Sequence, residues 1–203
     1  VIHPLLCKNL TVRNVKIDND GPNGDGCDPE SCKNVLIEGC YFNTGDDCIA
    51  IKSGRNADGR KWDIATENII VRNCIMKNGH GGVVVGSEIS GGLKNLFVEN
   101  CEMDSPMLDR VIRIKTNTCR GGVIDGVYVR NIKVGACKEA VLKINLNYEP
   151  REVAKRGFYM IFNSYAESKE SLAGIKLVSC GHIFAEPKRE INRPSGRDDW
   201  LIF

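Results

Sequence analysis

The stretch Asn34-Val35-Leu36-Ile37-Glu38-Gly39-Cys40-Tyr41-Phe42 puts apolar side chains one and three positions after a leading Asn, then again six and eight positions after it. Alternation with period two marks a half-buried strand, and the change of phase between the two pairs requires a bend between two short strands. The form recurs in NLTVRNVKI from Asn9, NIIVRNCIM from Asn68, NLFVENCEM from Asn95 and GVYVRNIKV from Gly126, with successive leading residues 25, 34, 27 and 31 residues apart. A second apolar stretch starts 14 to 16 residues after the leading residue of each later unit: Cys48-Ile49-Ala50-Ile51, Val83-Val84-Val85, Val111-Ile112-Arg113-Ile114 and Val141-Leu142-Lys143-Ile144. No segment has a helical period long enough for a crossover helix, so the chain must coil. The expected fold is all-β, a right-handed parallel β-helix of about five coils whose equivalent strands stack about 4.8 Å apart.

The same alignment explains the cysteines. Cys40, Cys74 and Cys101 share the sixth position after the leading residue with Val15 and Ile132, and Cys7 and Cys32 share the position two before it with Thr66, Leu93 and Ile124. They stand where aliphatic residues stand, as buried unpaired thiols in inward ladders. No paired CxxC spacing points to zinc. Asn14, Asn73, Asn100 and Asn131 share the fifth position with Gly39, at the bend; both residue types tolerate a left-handed backbone, and stacked Asn side chains are expected to hydrogen-bond along the axis there.

Composition narrows the function. Apolar residues form 42% of the 203 and charged residues 27%, which excludes a long disordered or mucin-like chain. Lys and Arg (28) nearly balance Asp and Glu (26), so nothing in the net charge of +2 recruits nucleic acid or an anionic membrane. No apolar run approaches the roughly 18 residues of a membrane span. Val1-Ile2-His3-Pro4-Leu5-Leu6 has neither the basic region nor the cleavage site of a secretory signal. The pattern is already running there, and the expectation is of a monomeric solenoid truncated at its N-terminus. Residues 1–157 are expected to form the β-helix; residues 158–203 form a divergent segment with one further rung at Gly174–Cys180 and an irregular tail.

Chemistry concentrates on the loop before the second apolar stretch of each coil. Asn23-Gly24-Asp25-Gly26-Cys27-Asp28, Gly45-Asp46-Asp47-Cys48, Gly79-His80-Gly81-Gly82 and Arg113-Ile114-Lys115 fall in successive coils. Matching Cys27 to Cys48 puts Asp25 in register with Asp46, and His80 shares that row. Singly, an Asp beside Gly is a turn former, a His in a Gly-rich turn is solvated, and Arg113 with Lys115 is one charged strand face. Together they bring three carboxylates, an imidazole and two cations to one side of the solenoid. Carboxylates that converge must raise at least one pKa, which makes an acid and a base from one residue type.

At these residues the chain resembles the polygalacturonase family of glycoside hydrolases, family 28, which are pectin-cutting right-handed β-helices. The family's Asn-Thr-Asp, Gly-Asp-Asp, Gly-His-Gly and Arg-Ile-Lys appear here in order, with Gly24 in place of Thr. The resemblance runs over about residues 1–157 and includes Tyr148. It implies hydrolysis of α-1,4-linked galacturonan with inversion, with Asp46 as general acid, Asp25 and Asp47 as the water-activating pair, and His80 tuning the acid or holding the sugar. Asn23, Arg113, Lys115 and Tyr148 would bind substrate, with no metal or cofactor, and the longer parent would be secreted or periplasmic. Inverting geometry implies an acid-to-base separation of about 6.5–9.5 Å. The partner would be homogalacturonan or its oligomers. Two other readings are a pectate-lyase-type β-helix, which would hold Ca²⁺ on clustered acids, and a non-catalytic carbohydrate-binding β-helix.

Overall fold

The computed structural model describes residues 1–149, and beyond them the backbone of three short strands. Repeat one folds as β1 (Lys8–Arg13) and β2 (Lys16–Asn19), and repeat two as β3 (Lys33–Glu38), β4 (Tyr41–Thr44) and β5 (Asp47–Ile51). After the short helix α1 (Asn56–Trp62) come β6 (Thr66–Arg72), β7 (Ile75–Asn78) and β8 (Gly81–Gly86), then β9 (Leu93–Glu99) and β10 (Arg110–Lys115), then β11 (Val123–Arg130) and β12 (Ala140–Asn145). The three later strands are β13 (Ile161–Asn163), β14 (Ile175–Val178) and β15 (Leu201–Ile202).

Equivalent strands stack into three sheets. The first runs β1-β3-β6-β9-β11-β13, with β15 antiparallel to β11; the second runs β2-β4-β7; the third runs β14-β12-β10-β8-β5. Single bridges extend the third sheet to the first repeat, Cys27 with Ile49 and Glu30 with Lys52. All pairings along the solenoid are parallel, and the five rungs β1, β3, β6, β9 and β11 bound four complete turns of a parallel β-helix. Strand β14 pairs in parallel with β12; the expected boundary at 157/158 and the irregular tail lie outside the described residues.

The inward ladders follow the repeat alignment. Leu10, Val35, Ile69, Leu96 and Val127 are register partners in turn, as are Val12, Ile37, Val71, Val98 and Val129. Each fully buried aliphatic contributes roughly 1.5–3 kcal/mol. Cys32, Cys40, Cys74 and Cys101 are buried and free, as expected; Cys7 is only half-buried, because it lies on the first rung and has a covering rung on one side alone.

The Asn ladder corrects the expectation. Both the leading residue and the fifth position take left-handed backbone: φ is 57° at Asn9, 57° at Asn34, 56° at Asn68, 58° at Asn95 and 79° at Gly126 in one row, and 55°, 63°, 55°, 54° and 51° at Asn14, Gly39, Asn73, Asn100 and Asn131 in the other. The long hydrogen-bonded ladder runs through the leading row. Asn34 Nδ2 donates to Asn9 Oδ1 (3.0 Å), Asn68 to Asn34 (3.0 Å) and Asn95 to Asn68 (3.1 Å). In the fifth row Asn131 donates to Asn100 (3.2 Å), but Gly39 carries no amide and breaks the row between Asn14 and Asn73.

Helix α1 was not expected, since seven residues reading Asn-Ala-Asp-Gly-Arg-Lys-Trp show no apolar period. It is held from outside: the Asn56 amide donates to Ser90 Oγ (2.8 Å), and Arg60 donates to the carbonyls of Cys119 and Arg120. No helix among the described residues is long and apolar enough to cross a membrane.

Two outcomes follow for stability. Asn68→Ala should cost about 1–2 kcal/mol for the left-handed backbone and up to about 1 kcal/mol more for the lost bonds to Asn34 and Asn95. Asn68→Gly, which keeps the backbone, should cost less; equal urea midpoints for the two variants would remove the backbone from the explanation. Thiol titration of denatured, unreduced protein should find all nine cysteines that are free among the described residues.

Candidate active site

The third sheet carries the candidate residues on its loop edge. Cys27 pairs with Ile49 rather than Cys48, so Asp25 lies beside Asp47 and not, as the cysteine match implied, beside Asp46. Thiol identity misleads because Cys48 sits at the strand entrance, where its Sγ donates to the Asn78 carbonyl (3.0 Å). The Asp47 amide donates to Asp25 Oδ1 (3.0 Å). The expected row of Asp46 with His80 is present, since Asp47 pairs with Gly81. His80 Nδ1 lies 3.0 Å from Asp46 Oδ1, and the His80 amide donates to the Asp46 carbonyl (3.0 Å). That approach requires Gly79: φ is 146°, and a Cβ there would stand 2.5 Å from the Asp46 carbonyl oxygen.

One oxygen from each of Asp25, Asp46 and Asp47 can be chosen so that all lie within 4.8 Å of one another. This is closer than the separation of 6.5–9.5 Å expected for an acid and base on opposite sides of a water.

Arg113 and Lys115 point to one face, as their spacing requires, and reach back across β8 to β5. Lys115 Nζ is 2.6 Å from Asp47 Oδ2, and Arg113 Nη1 is 3.6 Å from Asp47 Oδ1. Two strand spacings, about 9.6 Å, separate the backbones. The strand between them has no side chain at Gly81 or Gly86, and Gly86 is the register partner of Lys115. The Tyr148 ring lies 5.5 Å from the Arg113 guanidinium carbon and 5.4 Å from Lys115 Nζ, a cation–π contact to both. Tyr148 is fixed by its backbone, which donates to the Thr116 carbonyl (3.0 Å) and accepts from Asn117 Nδ2 (2.8 Å).

Asn23, left-handed at φ 56°, lines with Asp25, Asp46, Asp47 and Lys115 a cleft of about 290 Å³. A second cleft, about 570 Å³, opens on the His80 side between Gly79, Pro106 and Lys138. All eight residues singled out from the sequence therefore converge on one face. Gly24, the departure from the family's Thr, is required by its neighbours. A Cβ there would stand 2.6 Å from both the Gly21 carbonyl oxygen and Asn19 Nδ2.

Two residues were missed. Lys52 Nζ bridges Asp25 Oδ2 (3.2 Å) and Asp28 Oδ2 (2.8 Å). With the register corrected, Glu30 pairs with Lys52, which puts Asp28 and Lys52 on the face that carries Arg113 and Lys115; the one-residue slip hid them. Burial pushes the Asp28 carboxyl up to about 7, helped by its hydrogen bond with Asp25 and opposed by Lys52. Burial also acts upward on Asp25, but the bonds from Asp28, Lys52 and the Asp47 amide outweigh it and leave Asp25 below the usual range. Asp47 is pushed up by burial against the pull of Lys115 and Arg113.

A cation could be offered three carboxylate oxygens here. Two of the acids are already neutralised, Asp25 by Lys52 and Asp47 by Lys115, and a metal ion would have to compete with both ammonium groups. The donor set suits proton transfer rather than a Ca²⁺ cage of free carboxylates.

Known proteins point the same way. A profile of Glycosyl hydrolases family 28 matches residues 2–161. A probable polygalacturonase of Vitis vinifera is 34% identical over 142 residues, which cover 68% of this chain and 28% of that protein. An exo-poly-alpha-D-galacturonosidase of Dickeya chrysanthemi is 31% identical over 127 residues, covering 62% of this chain and 20% of its own. Among solved structures, a hyperthermoactive exopolygalacturonase from Thermotoga maritima has 43% identity and a TM-score of 0.69, over 80% of this chain and 35% of that one. A family 28 exopolygalacturonase of Yersinia enterocolitica, at 22% identity, shares the fold with a TM-score of 0.68, over 87% of this chain and 29% of that one. The chain spans less than a third of the length of these curated relatives. With the profile matched over residues 2–161 and the four motifs gathered on one face of the solenoid, this chain belongs to glycosyl hydrolases family 28.

Proposed function

We propose that this chain carries the catalytic face of a polygalacturonase, which hydrolyses α-1,4-galacturonosyl linkages of polygalacturonate. The observation that carries the reading is the convergence of Asp25, Asp46 and Asp47 on a cleft that Lys115 also lines, with Arg113 paired to Asp47 and the Tyr148 ring against both cations. Asp46 is the general acid. It is the acid bonded to His80, so a proton can be held between the two and given to the glycosidic oxygen as the bond to C1 breaks. Asp25 and Asp47 hold the water that attacks C1 and accept its proton. Asp25 suits that role because its neighbours keep it ionised. Clefts on both sides of the Asp46–His80 pair fit a polymer running past the acid. Arg113 grips the uronate carboxylate with its planar fork, and Lys115 is shared between Asp47 and the substrate. Such an enzyme acts outside the cell or in the periplasm, where its polymer is.

Retention is a second reading, favoured by the close approach of the acids. Inversion is preferred because neither candidate nucleophile is unencumbered. Asp47 is clamped by Lys115 and Arg113, and both Asp25 oxygens accept bonds, from the Asp47 amide and from Lys52. Following the anomeric proton of the first product by NMR separates the two: inversion of this α-linkage releases the β-anomer, and an α-anomer would establish retention.

Asp46→Asn should lower kcat by about 10²–10⁴ with little change in KM, read as reducing ends released from polygalacturonate. Oligogalacturonide binding by the unmodified chain with no release of reducing ends would replace the hydrolase by the non-catalytic reading. Arg113→Gln should cost about 1.5–3 kcal/mol of transition-state binding on de-esterified substrate, the scale of a charged hydrogen bond. The loss should be smaller on methyl-esterified pectin, which has no carboxylate there; equal losses would make Arg113 a support for Asp47 alone.

A further inference from the structure

The acid, base and sugar-binding roles leave Asp28 and Lys52 unexplained, although both line the cleft. We infer that Asp28 and Lys52 are positioning residues for Asp25: Lys52 pins one of its oxygens, and Asp28 keeps the proton that Asp25 must not carry. The inference rests on the reading of Asp25 as base.

One ammonium group bridges two carboxyl groups of unequal burial. Asp28 is 3% exposed, Lys52 Nζ sits 2.8 Å from its Oδ2, and its Oδ1 is buried without a donor among the described residues. An ionised carboxylate cannot leave such an oxygen unpaired without a large desolvation cost. A proton on Asp28 removes that cost, and Asp25, bridged to it by Lys52, is the neighbouring carboxylate to which the group would donate. Asp25, more open to the cleft, already accepts from the Asp47 amide (3.0 Å) and Lys52 (3.2 Å), and the proton of Asp28 completes a set of donors that favours its charged form. The like charges that would otherwise repel are thus divided: one carboxyl neutral and buried, the other ionised and facing the substrate.

The charged groups around the pair fit this division. Asp46 just before β5, Asp47 at its start, Glu88 after β8 and Lys115 at the end of β10 line the same cleft. Lys115 is committed to Asp47 (2.6 Å) and His80 to Asp46 (3.0 Å), and on the same segment Glu30 is turned away to His3 (2.7 Å). Lys52 is the cation left to serve Asp25 and Asp28. Both partners are needed, because Lys52 alone between two ionised acids would satisfy neither fully.

The test is a titration that needs no turnover. In protein labelled with ¹³C at the Asp side-chain carboxyls, one resonance of the unmodified chain should titrate near pH 7 and vanish in Asp28→Asn. The resonance lost in Asp25→Asn should titrate below the usual carboxylate range. In Lys52→Met it should move up by about one pH unit or more, and in Lys52→Arg, which keeps the charge, it should stay low. Absence of any Asp carboxyl titrating between pH 6 and 8 in the unmodified chain overturns the inference even if the Lys52 variants fail to fold, as does an Asp25 resonance indifferent to Lys52→Met. Kinetics on polygalacturonate give the second readout. The acid limb of kcat/KM should rise by a similar amount in Lys52→Met and return in Lys52→Arg, with kcat falling about 10–100-fold and KM little changed. If the unmodified chain releases no reducing ends, the hydrolase reading fails while the titration still decides the pairing. If it turns over but no carboxyl titrates near neutrality, the pairing fails alone.

Discussion

A coiling chain can keep one face inward on every turn only if each turn bends at the same place and in the same sense. The rest of this structure depends on that condition. It is met by two rows of left-handed residues, one leading each repeat and one five residues later, occupied by Asn or Gly in every rung from Asn9 to Asn131. Asn does two jobs where Gly does one. It accepts the left-handed backbone at lower cost than other side chains, and its amide closes the ladder from Asn9 to Asn95 along the axis. Because the bends repeat, the first and third sheets keep their registers, and the residue at a given position is delivered to the same face one strand spacing further on.

The site exploits that delivery. Acids enter from the loops before β5 and before the Cys27 bridge, and cations from β10 two rungs away; the interaction between them depends on what lies between. Strand β8 reads Gly-Gly-Val-Val-Val-Gly, and its bare ends at Gly81 and Gly86 leave a trough in which Lys115 and Arg113 lie down onto Asp47. A larger residue at Gly81 would meet the Val84 side chain and crowd the route from Arg113 to Asp47. Gly81, beside His80, thus serves the ion pairs. Electrostatics then sorts the acids: Asp47 is buried and doubly countered, Asp25 is held ionised by donors, Asp28 is buried with the proton, and Asp46 is left to His80.

The inward ladders were legible because aliphatic alternation has few competing explanations, and the placement of the later apolar stretches in β5, β8, β10 and β12 follows directly from it. Convergence of Asp46, Asp47, His80, Arg113 and Lys115 was legible for the same reason, through motif spacing, whereas Tyr148 came from the resemblance to the family alone. The register of the first repeat was not. Its third-sheet segment is tied to β5 by two single bridges rather than a continuous strand, so no alternation marks its phase, and matching Cys27 to Cys48 slipped it by one residue. In a strand, a slip of one residue exchanges the two faces. That exchange hid Asp28 and Lys52. Helix α1 was illegible for another reason: its stability comes from Ser90, Cys119 and Arg120 on distant segments, not from its own seven residues.

The exchange of Thr for Gly at position 24 shows how tightly the turn and the chemistry are linked. Gly24 donates its amide to the Gly21 carbonyl (2.9 Å), which folds residues 21–24 into a tight turn beneath Asn19 and leaves no room for a side chain. A Thr would crowd the Gly21 carbonyl and the Asn19 side chain. The Asp25 carboxylate is held from the side of the third sheet, by the Asp47 amide and Lys52, without a side chain at position 24. Those donors are themselves fixed by the parallel ladder, so they constrain the carboxylate rigidly. The residue that departs from the motif and the two residues outside it are then parts of one arrangement.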